Sequence, residues 1–110
     1  MKIVNLKMTF STTQKQVIFI NEDKKWYVYL LKCSDNSYYT GITTDIQRRL
    51  TEHNNTKKGA KYTRSRRPVE LLCFFNVDSR SAASKEEIKI KKMKRQDKII
   101  YVKNKNKVEE

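Results

Sequence analysis

The sequence has few of the residues that stabilise small extracellular domains. It contains only two cysteines, Cys33 and Cys73, which lie in separate apolar runs and form no CxxC pair. We therefore expect buried free thiols in a cytoplasmic protein rather than a disulfide framework. A zinc site would need both cysteines and His53 together, and it would still lack a fourth ligand.

Long apolar runs are also absent. No segment approaches the roughly 20 apolar residues that a membrane-spanning helix requires, which excludes a spanning segment. The early apolar run VIFI is too short for the core of a secretory signal, and no small-residue cleavage site follows it. We expect a protein without a membrane partner.

Acidic residues are scarce relative to basic ones. The chain has 25 lysines and arginines against 12 aspartates and glutamates, which gives a formal net charge of +13. An excess of this size repels itself and indicates a polyanionic partner, either nucleic acid or an acidic membrane surface. The loop TKKGAKYTRSRRP has a tyrosine among its charged residues. This favours a loop that binds along a nucleic-acid backbone over one that is merely solvated. Its candidate nucleic-acid-binding residues are Lys57, Lys58, Lys61, Tyr62, Arg64, Arg66 and Arg67.

The central part of the chain predicts a single α+β domain. WYVYLLKC and SYYTGIT flank the turn SDNS and predict a β-hairpin. TTDIQRRLTEHNN predicts a helix that begins with a Thr44/Gln47 capping box, and VELLCFF predicts a buried third strand. A second helix is expected from about Ala82 to Arg95, whereas DKIIYV fits either a helix or a strand. The predicted fold is a small antiparallel three-stranded sheet with helices packed on it.

The ends of the chain show weaker patterns. Residues 1–25 have no clear hydrophobic period, and we expect a loosely held, partly disordered extension. The domain is predicted at residues 26–100, and the charged segment 101–110 is predicted to be a frayed tail.

Arg49 and His53 lie four residues apart on the predicted first helix, so their side chains share one face. The apolar residues Ile46 and Leu50 anchor this helix, and Arg49 lies beside their line rather than opposite it. An arginine there could hold a phosphate, and an imidazole could relay a proton at neutral pH. The alternative is an ordinary solvated helix edge.

Tyr29 and Tyr39 lie on the two arms of the predicted hairpin. Strands favour tyrosine for packing alone, so these residues need no chemical role. Because side chains alternate along a strand, the two phenols share a face only if the loop has odd length or carries a bulge. A shared site therefore predicts a loop of three or five residues.

A carboxylate on the lysine-rich second helix is the third candidate feature. Glu86 lies near the middle of the apolar stripe formed by Ala83, Ile90 and Met93, and Glu87 lies at its edge. Mg²⁺ prefers carboxylate oxygen and keeps most of its waters, so one protein ligand can suffice. Ion pairing within the helix is the alternative, and periodicity alone slightly favours Glu86.

The order of these features resembles the GIY-YIG nuclease domain. YVY (27–29) stands where that family has its first triplet, and YTG (39–41) where it has its second. Arg49 follows at the family's spacing, His53 follows four residues later, and a glutamate lies on a later helix. The phrases YTGITTDIQRRLTEHN and GAKYTRSRRP resemble the short, stand-alone bacterial branch of the family. The resemblance covers roughly residues 26–98.

The resemblance implies a phosphodiester hydrolase that acts on nucleic acid, with DNA the expected polymer and Mg²⁺ or Mn²⁺ the cofactor. Tyr29 and Tyr39 would line the site, one of them as general base, while Arg49 holds the phosphate and His53 assists. The metal ligand carries over best to Glu87, because family members show glutamate followed by an aliphatic residue three later and then a basic one. It also implies a protein partner for targeting, since so small a domain often needs one.

Two positions depart from the family pattern. Tyr27 replaces the first glycine, and Thr40 replaces the isoleucine of the second triplet, although the short branch tolerates both. Asn104 and Asn106 lack the family's context for a C-terminal asparagine and are not carried over. A non-catalytic nucleic-acid-binding module on the same fold is the main alternative function. A basic structural protein bound to ribonucleoprotein is a third.

Overall fold

The structure is a computed structural model that describes residues 6–10, 17–21 and 25–106, with side chains described from residue 25 onward. In the N-terminal segment, β1 (Leu6–Phe10) and β2 (Val17–Asn21) pair antiparallel, with Leu6 opposite Asn21. We had predicted no strand there. The remainder of the expected disordered extension lies outside the described residues.

The main sheet has three antiparallel strands, as predicted. Its central strand is β3, which pairs on one side with the hairpin partner β4 and on the other with β5. A register shift in the second pairing leaves Leu72 as an extra residue between Cys73, opposite Leu30, and Leu71, opposite Leu31. The strands are β3 (Trp26–Lys32), β4 (Tyr38–Thr43) and β5 (Glu70–Val77).

The hairpin turn meets the geometric condition for a shared tyrosine face. Five residues separate β3 from β4, and Cys33 N–H donates to the carbonyl of Ser37. Asn36 has φ 68°, the left-handed conformation that closes a three-residue turn. The resulting register places Tyr29 opposite Gly41 and Tyr39 opposite Leu31. Tyr29 and Leu31 are two positions apart on β3, so their side chains lie on the same face of the sheet. Tyr39 is paired with Leu31 and shares its face, so the two phenols lie on one face.

Helix α1 (Ile46–Asn55) follows the hairpin and begins differently from the prediction. Asp45, rather than Thr44, is the N-cap, and its carboxylate accepts from the backbone N–H of Arg48 at 3.0 Å. The predicted Thr44/Gln47 capping box is therefore wrong. The Asp45 carboxylate accepts from a backbone N–H that has no partner within the helix, and its negative charge is favourable at the helix N-terminus. The basic loop also contains a short helix, α2 (Lys61–Arg64), which was not predicted.

The helix predicted from about Ala82 to Arg95 is α3 (Arg80–Lys91), which ends earlier than expected, and a further helix, α4 (Arg95–Lys105), follows it. The segment DKIIYV is thus helical, and the predicted boundary at residue 100 falls inside α4. Val102 is fully buried, so the segment beyond residue 100 contributes to the core instead of fraying. Among the described residues, no helix is long and apolar enough to cross a membrane.

The two faces of the sheet carry different layers. On one face, the apolar side chains of Val28 and Leu30 pack with α3 and α4, including Ile90 and Val102. Alternate residues of β3 project to the other face, where α1 covers a smaller cluster that includes Tyr29, Leu31 and Leu50. This second face positions the candidate site.

Candidate active site

Tyr29 lies at the centre of the candidate site. Its side chain is only 3% exposed, and its ring lies across the neighbouring strand at Gly41. A Cβ at Gly41 would overlap both the ring and the hydroxyl of Tyr29, so any larger residue would displace the phenol. Burial, reinforced by the neighbouring Tyr39, raises the pKa of Tyr29 well above the ordinary value, and a hydrogen bond from Arg49 opposes this.

His53 contacts Tyr29 directly, although the two residues are 24 positions apart. The Nε2 atom lies 2.8 Å from the Tyr29 hydroxyl, and Nδ1 lies 2.8 Å from Oγ1 of Thr63. The imidazole is fully buried. Burial, with the positive charge of Arg49 adding to it, lowers the pKa of His53 to about 4. The ring is therefore neutral at pH 7 and can accept a proton at one nitrogen.

Arg49 is held in place by two acceptors. Its Nη1 donates to Oε1 of Glu52 and to the main-chain carbonyl of Lys58, each at 2.8 Å. The same guanidinium lowers the pKa of Tyr29, against the effect of burial. The side chain is one quarter exposed, so solvent reaches part of it. This arrangement suits a preorganised anion contact, because the guanidinium need not reorient to meet a phosphate.

Tyr39 forms the outer wall of the site. Its ring centroid lies 5.3 Å from that of His53 in an edge-to-face arrangement, and its other neighbour is the stacked ring of Tyr62 at 5.9 Å. The guanidinium of Arg66 lies 3.8 Å from the Tyr62 centroid. An aromatic series thus runs from buried His53 to Tyr62, which is 38% exposed.

The two glutamates of α3 have different neighbours. Glu86 accepts a hydrogen bond from the Tyr101 hydroxyl at 2.6 Å, which directs it to α4. Glu87 instead acts electrostatically on Tyr29, and its Oε2 lies 3.3 Å from Nζ of Lys91. Lys91 in turn lies 5.8 Å from the Tyr39 ring. Helix α3, which carries Glu87, contacts β4, the edge strand of the main sheet.

The donor chemistry at Glu87 fits a hard divalent cation. Its side chain is 22% exposed and offers carboxylate oxygen near enough to Tyr29 for its charge to raise the pKa of that phenol. In the part of the chain that the structure describes, no three His, Cys, Asp or Glu side chains cluster as a metal cage. A site with one carboxylate suits Mg²⁺, which is commonly held by one or two carboxylates, substrate phosphates and water.

Some cations of the basic loop are exposed, and others form hydrogen bonds within the protein. Lys57, Lys58, Lys61 and Arg64 are exposed, and none pairs with a carboxylate of the described residues. By contrast, Arg67 donates to the carbonyls of His53, at 2.5 Å, and of Thr56. This guanidinium satisfies carbonyls at the C-terminal end of α1, a structural role that we had not predicted.

Arg66 is also engaged within the protein. Its Nε lies 3.0 Å from Oδ2 of Asp35, and its Nη1 donates to the carbonyl of Tyr62 at 2.9 Å. Because Asp35 belongs to the hairpin turn, this contact joins the basic loop to the main sheet. The side chain is one third exposed, so its outer edge still faces solvent.

Sequence reasoning missed two residues of this site, Glu52 and Thr63. Glu52 lies one helical turn beyond Arg49, and this i,i+3 spacing could have identified it. Thr63 is fully buried and contacts His53. It lies within the phrase GAKYTRSRRP, but a threonine among so many cations gave no chemical signal.

Comparison with known families identifies the family of the chain. A model described as the GIY-YIG catalytic domain matches residues 25–105, most of the chain. The chain therefore belongs to the GIY-YIG family, a superfamily of nuclease domains that interact with nucleic acid.

Its individual relatives define a narrower group, the short UPF0213 proteins. A UPF0213 protein from Syntrophus aciditrophicus is 54% identical over 79 residues, covering 72% of this chain and 91% of that protein. One from Cupriavidus necator is 51% identical over 74 residues, covering 67% and 79%. A solution NMR structure of a UPF0213 protein from Bacillus halodurans is 41% identical and covers 74% of this chain and 86% of that one, with a TM-score of 0.46. The predicted resemblance to a short GIY-YIG protein is confirmed.

Proposed function

We propose that this protein is a metal-dependent endonuclease that hydrolyses phosphodiester bonds of nucleic acid, with DNA as the polymer. One observation carries the proposal: a single buried hydroxyl, that of Tyr29, contacts the imidazole of His53, and its pKa responds to the guanidinium of Arg49 and to the carboxylate of Glu87. These groups come from three separate elements, β3, α1 and α3. A purely structural tyrosine would not need a base, a cation and a carboxylate around one oxygen.

Arg49 holds the scissile phosphate in this proposal. Glu52 and the Lys58 carbonyl occupy Nη1, which fixes the plane of the guanidinium and leaves other donors for a phosphate oxygen. As negative charge develops on the phosphorane-like transition state, these fixed donors stabilise it without reorganisation. Arg49 also favours phenolate at Tyr29, because a cation beside a phenol stabilises its ionised form.

Tyr29 is the better placed of the two candidate bases. A phenol is a poor base until it loses its proton, and His53 Nε2 lies at hydrogen-bonding distance from that proton. A concerted shift of the Tyr29 proton to His53 Nε2, as Tyr29 Oη takes a proton from the attacking water, would let Tyr29 act as the base without forming a free phenolate, which the raised pKa of Tyr29 and the lowered pKa of His53 disfavour. Tyr39, packed between His53 and Tyr62, would shape the wall against which the substrate lies.

Glu87 would hold the metal ion, Mg²⁺ or Mn²⁺. When bound, such an ion would stabilise negative charge on the phosphate and on the leaving oxygen. In the structure Lys91 neutralises this carboxylate at 3.3 Å. A cation at Glu87 would replace that pairing and release the Lys91 ammonium toward the substrate backbone.

The exposed part of the basic loop would bind the nucleic-acid backbone. Lys57, Lys58, Lys61 and Arg64 supply charges that can neutralise phosphates, and Tyr62 offers an aromatic edge beside them. This surface adjoins the Tyr39 wall through the stacked ring of Tyr62. Such contacts give salt-dependent binding with little sequence specificity. Selection of a target would then fall to a protein partner.

A plasmid-nicking assay with Mg²⁺ or EDTA tests the proposal. We expect cutting with Mg²⁺ only, and a decrease of about 100- to 1,000-fold in Arg49→Ala. Arg48→Ala is the matched control, since Arg48 also approaches Glu52, at 3.6 Å, but its side chain is 54% exposed and its Nη2 donates to Oγ1 of Thr43. Cutting that persists in EDTA, or in Arg49→Ala at the rate of the control, would contradict the assignment.

The alternative is a nucleic-acid-binding module without turnover on the same fold. Arg66 and Arg67 form hydrogen bonds within the protein, so the basic loop also stabilises the fold. A protein that only binds nucleic acid would need the same stabilising contacts. A gel-shift measurement beside the nicking assay separates the two functions. Binding without metal-dependent cutting would favour the module.

A further inference from the structure

The buried His53 imidazole has a polar partner at each nitrogen. Tyr29 Oη lies 2.8 Å from Nε2, and Thr63 Oγ1 lies 2.8 Å from Nδ1. A neutral imidazole carries one proton, so it can donate at one nitrogen and must accept at the other. The tautomer therefore decides whether His53 accepts a proton from Tyr29 or donates one to it.

The Thr63 hydroxyl indicates which nitrogen of His53 carries the proton. It donates to the carbonyl of Ala60 at 2.9 Å, so Oγ1 is the acceptor in its contact with Nδ1. Nδ1 is then the protonated nitrogen and Nε2 is unprotonated. The Tyr29 hydroxyl can donate to Nε2, its hydrogen-bond partner among the described residues.

The contacts of Thr63 complete a consistent chain. With Nε2 unprotonated, the ring proton lies on Nδ1 and is donated to Thr63 Oγ1. The Thr63 hydroxyl in turn donates to the carbonyl of Ala60 at 2.9 Å. Each of the three short contacts then has one donor and one acceptor. The Ala60 amide nitrogen lies 3.4 Å from Nδ1 and favours the opposite tautomer, but a contact of this length is much weaker than one of 2.8 Å.

We propose that Thr63 is a positioning residue that holds His53 in the Nδ1–H tautomer and so aims the Nε2 lone pair at the Tyr29 hydroxyl. The catalytic meaning of this inference rests on the proposed function, whereas the tautomer itself does not. In the opposite tautomer, Nε2–H would donate to Tyr29, and the phenol would lose its proton acceptor.

The short helix α2 explains how a threonine comes to have this role. The amides of Thr63 and Arg64 both donate to the Ala60 carbonyl at 3.1 Å, which fixes the turn that presents Thr63. The preceding Gly59 allows this turn to approach α1 closely, since a Cβ there would lie 2.8 Å from the Glu52 carbonyl and 2.9 Å from His53 Cα. The loop thus delivers a fully buried hydroxyl to the inner nitrogen of His53.

The tautomer can be measured directly because the chain has one histidine. Long-range ¹H–¹⁵N correlation spectra of the ¹⁵N-labelled protein at pH 7 report which ring nitrogen is protonated. We expect the Nδ1–H pattern in the native protein and in Thr63→Ser, which keeps the hydroxyl. Thr63→Val, nearly isosteric but without the hydroxyl, should lose that pattern; Thr63→Ala serves as a second variant, and thermal unfolding verifies that each is folded.

Nicking kinetics add the functional readout. We expect kcat to decrease about 10- to 100-fold in Thr63→Val, as for other residues that orient a reacting group through a hydrogen bond, with KM nearly unchanged. Thr63→Ser should restore most of kcat. Thr51→Val, an exposed threonine on α1, is the control and should behave like the native protein.

Three results would overturn the proposal: an Nε2–H imidazole in the native protein, an unchanged Nδ1–H pattern in folded Thr63→Val and Thr63→Ala, or an altered tautomer with native kcat. If the native protein cuts no substrate, the spectra still decide the tautomer. Failure of the nuclease assignment and failure of the Thr63 assignment are therefore distinguishable.

Discussion

The two faces of strand β3 perform different tasks. On one face, Val28 and Leu30 are fully buried against α3 and α4, in a cluster of mainly aliphatic and aromatic side chains. On the other face, Tyr29 is also buried, but it contacts the imidazole of His53, which in turn contacts the hydroxyl of Thr63. Consecutive residues of one strand thus enter an apolar core and a hydrogen-bonded network.

The difference shows how a small domain can combine stability with chemistry. The face covered by α3 and α4 gains from apolar burial, which needs no specific geometry beyond good packing. The Tyr29 face contains polar groups whose burial is tolerated only while each has a partner. Substitutions on the first face should therefore change the free energy of unfolding, and those on the second should change activity or pH dependence.

The largest expected effect is on the apolar face. Ile90→Ala should lower the free energy of unfolding by about 3 kcal/mol, because Ile90 is fully buried and its removal leaves a cavity. Ile88→Ala is the matched control on the same helix, since Ile88 is 56% exposed, and it should change stability by less than about 0.5 kcal/mol. Urea unfolding measures both. The nicking rate per folded molecule should remain near native in each, and a large loss in Ile90→Ala would show that the faces are coupled.

Two adjacent residues of α3 sharpen the comparison, because they belong to different faces. Glu87→Gln should lower Mg²⁺-dependent nicking by about 100-fold, since an amide binds a hard cation poorly. Glu86→Gln should have little effect, because the amide oxygen can still accept from Tyr101. Nicking rates across a Mg²⁺ titration measure both. Loss of activity in Glu86→Gln alone would reverse the assignment.

The pH dependence of stability tests the burial of His53. Its pKa falls from 6.5 to about 4 on folding, so below about pH 6.5 the unfolded chain binds a proton that the folded chain does not. Stability should therefore be lost as the pH decreases, by about 2 kcal/mol between pH 7.5 and pH 5. Urea unfolding at both values measures the change. His53→Gln should remove most of this slope; an equal slope in the variant would assign it to other groups.

The smallest effect concerns two arginines of the basic loop. Arg64 is exposed, so Arg64→Ala should weaken nucleic-acid binding by about 1 kcal/mol and reduce the salt-dependence slope by about 1. Arg67→Ala should instead lower the thermal midpoint, because it removes the donors to the carbonyls of His53 and Thr56. Binding titrations at several salt concentrations, with thermal unfolding, separate the two. An unchanged salt slope in Arg64→Ala would exclude a phosphate contact there.

The three strands of the main sheet could be predicted from the sequence because strand and turn patterns depend on neighbouring residues. The alternation of WYVYLLKC, the turn SDNS and the apolar run VELLCFF each identify a strand from neighbouring residues. The i,i+4 spacing likewise placed Arg49 and His53 on one helix face. The choice between Glu86 and Glu87 was different, because periodicity weakly favoured the residue that in fact contacts Tyr101.

The elements that escaped prediction depend on contacts between distant segments. Lysines obscured the end of α3, which was predicted to run to about Arg95, and buried Val102 was assigned to a tail. Arg67 looked like its cationic neighbours, although its partners lie 11 and 14 residues earlier, at Thr56 and His53. Thr63 has no charge or period that marks it, and only the folded chain brings it to His53.

The contact between Tyr29 and Gly41 has an evolutionary consequence for this hairpin. An aromatic ring laid over a strand glycine shields the exposed backbone of that glycine and compensates for its low strand propensity. Each residue of the pair thereby limits substitution of its neighbour: a larger residue at 41 expels the ring, and a smaller one at 29 uncovers the peptide. Drift at either position should therefore require a concerted double change, which point mutation rarely provides.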